Sequence, residues 1–192
     1  VEGAFRENRF MSAAPYGFLY RKGISTDALC VGVLATQVFL DTYATAGIRA
    51  QLAREVLAEY SPDAFARRLA DQRTTFILAE REGHLVGFAE VVHERPFPLD
   101  PPDATAPTVE LVRLYVQPAF QRHGLGRDLL REAERLADTS GSRGLWLAAW
   151  SGNDRALAFY RALGYVPVGT VEHRIEGEAY ENVVLAKPAS SG

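Results

Sequence analysis

The residues best placed for chemistry lie in the run Gln121-Arg-His-Gly-Leu-Gly-Arg127. Gly124 and Gly126 let a backbone approach a bulky anion and tolerate positive φ, and Arg122 and Arg127 add formal charge. The N-terminus of a following helix would supply aligned N–H groups and a partial positive charge, so the run suits a phosphate group. Three phosphate motifs compete for it. A Rossmann fingerprint wants a third glycine where Leu129 stands, and an acidic residue about 20 positions further on, which the neighbours of Trp146 do not offer. A Walker loop wants a Gly-Lys-Ser/Thr ending, which is missing. A Gln/Arg-x-x-Gly-x-Gly/Ala pattern remains.

A second constellation is the pair Asn153 and Tyr160. Seven residues apart on a helix, they fall about 20° from the same face, and Asn153 can also cap that helix. Other chemistries find less support. There is no Gly-x-Ser-x-Gly elbow, and the four His, at 84, 93, 123 and 173, lack the paired spacing of a metal site.

The elements that must hold these residues follow from pattern. Leu111 to Val116 reads as a strand that stops at Pro118. Leu125, Leu129, Ala133, Leu136 and Ala137 recur at helical intervals, with Arg127, Asp128, Arg131, Glu134 and Arg135 on a solvated face. Upstream, Tyr16 to Lys22 reads as a strand, and Thr26 or Asp27 caps a helix that runs to about Tyr43. A helical piece spans about Ile48 to Tyr60, and Ser61-Pro62 restarts another. Two strands, Thr74 to Glu80 and Leu85 to His93, flank a turn. The segment 94–107 holds five of the 10 Pro and reads as a long loop. Downstream come a strand at Leu145 to Trp150, a short helix at Ala156 to Leu163, and two strands at Tyr165 to Thr170 and Ala179 to Ala186.

The 192 residues are 47% hydrophobic and 23% charged, enough for one buried core. Residues 16–188 are expected to form a single domain. Met11 is the only Met and Val1 opens the chain, as an alternative start or the head of an extension. Either way residues 1–15 read as a loosely held arm. A net charge of -3 argues against a nucleic-acid binder. The single cysteine, Cys30, precludes an intrachain disulfide; it reads as a buried small hydrophobe and points to a cytoplasmic setting. No apolar run reaches membrane-spanning length, and no signal-peptide core opens the chain.

Taken together, the strand, the glycine loop and the Asn153-x6-Tyr160-x3-Gly164-Tyr165 run resemble the GNAT acyltransferase superfamily over roughly residues 24–187. The resemblance implies an α/β fold with a mixed, mostly antiparallel seven-stranded sheet flanked by helices. It implies direct N-acetyl transfer from acetyl-CoA to a primary amine, with no metal. Leu114, Tyr115 and Val116 would meet the pantetheine arm between two diverging strands. Gln121, Arg122, Gly124, Gly126 and Arg127 would surround the pyrophosphate, with Leu125 in the loop and His123 offering its backbone. Tyr160, with Asn153 beside it along the cofactor, would protonate the leaving thiolate. Glu110 would take the amine's proton, with Glu90, His93 or water as substitutes. Tyr43 and Tyr60 would line the acceptor wall, and Glu94, Asp100 and Asp103 could face a cationic acceptor. Within the superfamily the motifs look most like bacterial spermidine/spermine-type polyamine acetyltransferases, so the acceptor is expected to be a small amine, without nucleic-acid or membrane partners. A peptide or protein amine, a non-catalytic CoA-binding module and a homodimer stay open.

Overall fold

A computed structural model describes Arg9–Phe10 and residues 17–99, 106–175 and 177–188. In chain order the strands are β1 (Arg9–Phe10), β2 (Phe18–Lys22), β3 (Thr74–Arg81), β4 (His84–Val92), β5 (Val109–Val116), β6 (Gly144–Trp150), β7 (Val166–Ile175) and β8 (Glu178–Pro188). The helices are α1 (Ala28–Tyr43), α2 (Ala50–Glu59), α3 (Pro62–Ala70), α4 (Leu125–Thr139) and α5 (Asp154–Ala162). The strands form one mixed sheet in the order β1-β2-β3-β4-β5-β6-β8-β7. Seven are the strands expected. The eighth, β1, comes from the N-terminal arm and pairs with Tyr20 and Arg21 of β2. The rest of that arm, and Asp100 and Asp103, lie outside the described residues.

Contacts cluster into two units: residues 1–90 with 113–132, and residues 91–112 with 133–192. In the first, β2 pairs antiparallel with β3. An aromatic core of Phe65, Phe76 and Phe88 packs edge-on or tilted. The α1 stripe buries Ala28, Val31, Leu34, Ala35 and Phe39. Cys30 lies off that stripe and is exposed, contrary to the sequence reading; position 30 falls on the far face with exposed Leu29 and Val33. Nor does Asp27 cap α1. Its carboxylate accepts from the Ile24 N–H and from both terminal nitrogens of Arg21. Ser61 does cap α3, its Oγ accepting from the Ala64 N–H, with Pro62 at the first position.

In the second unit, β6 and β7 each pair antiparallel with β8. The parallel register of β5 on β6 matches Val109 with Leu145 and Glu110 with Trp146. Asn153 caps α5, its side-chain oxygen accepting from the Ala156 N–H at 3.1 Å. Two α4 acids expected on the solvated face are engaged instead. Asp128 accepts from the Tyr20 hydroxyl, and Glu134 accepts from the Tyr165 hydroxyl and the Lys187 ammonium. Those partners, on β2, just before β7 and on β8, are remote in sequence, so helical spacing alone could not show them.

Candidate active site

The glycine loop begins where β5 ends. The Gln117 N–H donates to the Val86 carbonyl at 3.0 Å, so this position faces β4. Backbone groups alternate edge by edge along a strand, so those of Leu114 and Val116 face the opposite edge. Pro118–Phe120 then makes one 3₁₀ turn. Arg122 and Gly124 both sit in the left-handed region, at φ 67° and 85°. Such residues turn successive N–H groups into a concave nest for an anion. The first intrahelical bond of α4 runs from the Asp128 N–H to the Gly124 carbonyl. The N–H groups of Leu125, Gly126 and Arg127 therefore precede it, as the first donors of any helix must. Arg122 and Arg127 are exposed beside them, while Leu125 is buried and anchors the turn. This donor set fits a diphosphate.

Two loop side chains serve the loop's own shape. Gln121 donates its Nε2 to the Val116 carbonyl at 3.0 Å. The His123 ring turns back, Nδ1 lying 2.9 Å from the Gln121 carbonyl. The His123 ring is thus turned into the loop, and the Gln121 amide braces the strand end. Gly87 shows how closely β4 lies against β5: a Cβ there would meet the Tyr115 carbonyl oxygen at 2.8 Å.

Beside β5 in the same unit lies a polar cluster under an aromatic stack. Glu90 is buried and pairs with Arg113 at 2.6 Å. Burial works against the Arg113 charge, but Glu90, Tyr60 and Tyr115 together outweigh it and hold the guanidinium protonated. In this structure the Glu90 carboxylate is engaged by Arg113. The guanidinium stands 5.4 Å from the Tyr60 ring centroid. Phe39 packs on both Tyr43 and Tyr60 at 4.7 Å. The Tyr60 and Tyr115 hydroxyls are 3.3 Å apart.

In the other unit, Tyr160 is buried between Phe159 and Tyr165, with centroids at 5.2 and 5.8 Å. Its hydroxyl has no hydrogen-bond partner among the described residues. Burial alone raises its pKa well above the ordinary phenol value, so it stays protonated at neutral pH. Glu110 projects from the same sheet face as its register partner Trp146. The Arg95 Nε stands 2.9 Å from the Glu110 carboxylate. Trp150 lies four residues beyond Trp146 on that face, and Asn182 is its partner on β8. The Trp146 Nε1 and the Asn182 Oδ1 are both buried without a hydrogen-bond partner among the described residues. Such a group costs about 1–3 kcal/mol when left unsatisfied. Sequence reasoning missed Arg95, Arg113 and Asn182. The even Trp146–Trp150 spacing was the one available signal for this face.

A model of the acetyltransferase (GNAT) family matches residues 42–165. The N-alpha-acetyltransferase RimI of Mycobacterium tuberculosis is 36% identical over 111 residues, 57% of this chain and 63% of that protein. The alignment thus spans under two thirds of that relative. An uncharacterized N-acetyltransferase of the same species is 29% identical over 157 residues, 82% of this chain and 94% of that protein. Among solved structures, the PaiA N-acetyltransferase of Thermoplasma acidophilum, crystallised with coenzyme A, superimposes with a TM-score of 0.71 at 21% identity, covering 93% of this chain and 99% of that one. The likeness in fold agrees with the nest-bearing loop at the end of β5 and the family match across it, and on these grounds the chain belongs to the GNAT family of acetyltransferases.

Proposed function

We propose that the protein moves an acetyl group directly from acetyl-CoA to a primary amine, and that residues 16–188 act as one acetyltransferase domain. The observation that carries this reading is the nest at 122–124, opening onto the first N–H groups of α4. The pyrophosphate binds there, with Arg122 and Arg127 adding charge. The pantetheine arm runs along the β5 edge that Leu114 and Val116 present, past Tyr115. Asn153 fixes the first turn of α5, the helix that carries Tyr160.

The chemistry needs few groups. The neutral amine nitrogen attacks the thioester carbonyl, the tetrahedral adduct collapses, and the C–S bond breaks. Tyr160 gives its proton to the departing thiolate. The proton shed by the amine passes to Glu110, directly or through water. Two acceptor classes fit this scheme: a small polycation, as the sequence resemblance suggests, and a peptide α-amine, as the name of the RimI relative suggests. Acetyl-CoA should raise the melting temperature, and an amine panel should then release free thiol. Stabilisation by acetyl-CoA without thiol release from any amine would favour a non-catalytic CoA-binding module. Absence of stabilisation would remove the cofactor site.

A further inference from the structure

The sheet face around Glu110 is covered by the chain's own segment 95–99, and its alternate residues make the contacts. Arg95 meets Glu110, Phe97 packs edge-on against Trp146 at 5.8 Å, and Leu99 lies over Gly169, where a Cβ would meet its Cδ1 at 2.7 Å. The base of the segment is tied down by the Arg95 N–H, which donates to the Thr108 carbonyl at 2.8 Å. Beyond it, Pro96 and Pro98 have no N–H to give. A cation followed by alternating apolar side chains thus rests on this face, yet two buried polar groups beneath and beyond it stay unmatched among the described residues. The Trp146 Nε1 can only donate and the Asn182 Oδ1 can only accept. Trp146 itself is 3% exposed. Register sets Asn182 opposite Trp150, four residues past Trp146, a rise of roughly 13 Å along a strand.

An ammonium-bearing polyamine offers donors only. It could satisfy Glu110 and Asn182 but would leave the Trp146 N–H unmatched. A peptide main chain offers a carbonyl and an N–H in every unit. We propose that the acceptor is the free N-terminus of a polypeptide, bound along this face in place of the 95–99 side chains. Its amine replaces the Arg95 guanidinium on Glu110, its first carbonyl accepts from the Trp146 Nε1, and an N–H further along donates to the Asn182 Oδ1. Arg95 then acts as a resident competitor for the acceptor amine. This assignment rests on the proposed acetyl transfer.

The chain has 2 Trp, so an ¹⁵N-labelled full chain with CoA bound gives two indole N–H signals, and Trp150→Phe identifies that of Trp146. Titration with free-N-terminus tetrapeptide amides, varied at the first residue, should move the Trp146 signal downfield, whereas spermidine should not. In thiol-release assays Trp146→Phe should raise the KM for the best tetrapeptide about tenfold, the size of one neutral hydrogen bond, and leave that for spermidine unchanged. Arg95→Ala, a change at a half-exposed side chain, should lower the tetrapeptide KM and keeps the test open should Trp146→Phe misfold. The proposal fails if CoA binds but no tetrapeptide moves the Trp146 signal, if spermidine is the better acceptor, or if Arg95→Ala raises the tetrapeptide KM. A chain that CoA does not stabilise would instead refute the acetyl transfer itself.

Discussion

At the scale of single residues, Tyr160 carries the most specific expectation. Its side chain is buried and protonated, with no hydroxyl partner among the described residues, so Tyr160→Phe removes an acid and little packing. Turnover should fall by about 10², with the KM for acetyl-CoA changed less than about twofold, as read by steady-state thiol release. Equal losses in both would place Tyr160 in binding rather than proton transfer. Tyr160 and Asn153 were legible in the sequence because both lie on one short helix whose period fixes their relation. The Arg95–Glu110 pair was not legible. Its members are joined by a Pro-rich loop, and no periodicity connects the two ends of such a loop. Gln121 was placed correctly in the loop, but the carbonyl that its amide seeks depends on the path of the turn between them.

At the scale of elements, β5 and the loop after it were readable from composition. Branched and aromatic residues run up to Pro118, and the helical stripe starts at Leu125. What the sequence withheld is how tightly the neighbouring strand approaches. Gly87→Ala would drive a methyl against the Tyr115 carbonyl oxygen, so it should destabilise the chain by about 1–3 kcal/mol, measured as a lower denaturant midpoint. Gly124→Ala behaves differently. No atom stands within 4 Å of its Cβ position, but φ is +85°, so only the left-handed backbone is penalised, by about 1–2 kcal/mol. Relief of that strain would distort the nest. The KM for acetyl-CoA should therefore rise more for Gly124→Ala than for Gly87→Ala, while the larger loss of stability belongs to Gly87→Ala.

At the scale of the whole molecule, Tyr20, Tyr115, Tyr160 and Tyr165 have raised pKa values. Burial is the first cause for Tyr20, Tyr115, Tyr160 and Tyr165, and the neighbouring carboxylates Asp128 and Glu134 add to it for Tyr20 and Tyr165. The folded chain keeps these protons above the ordinary tyrosine value near 10, where the unfolded chain has released them. The folded state then binds more protons, so stability declines as pH climbs past about 10. Melting curves from pH 8 to 11 should show the fall, with tyrosinate absorbance appearing together with unfolding. Replacing Tyr165 by Phe should soften that decline, because its proton no longer enters the balance.

Arg122 adopts a backbone conformation that residues with a side chain rarely take. Evolution could have used glycine there, which would sit more comfortably but bring no cation. Arg122→Gly should therefore make the protein harder to melt on its own and poorer at gripping a nucleotide-borne diphosphate. Heat resistance and grip would move in opposite directions from one change, the mark of a position chosen for what it holds and not for how it folds.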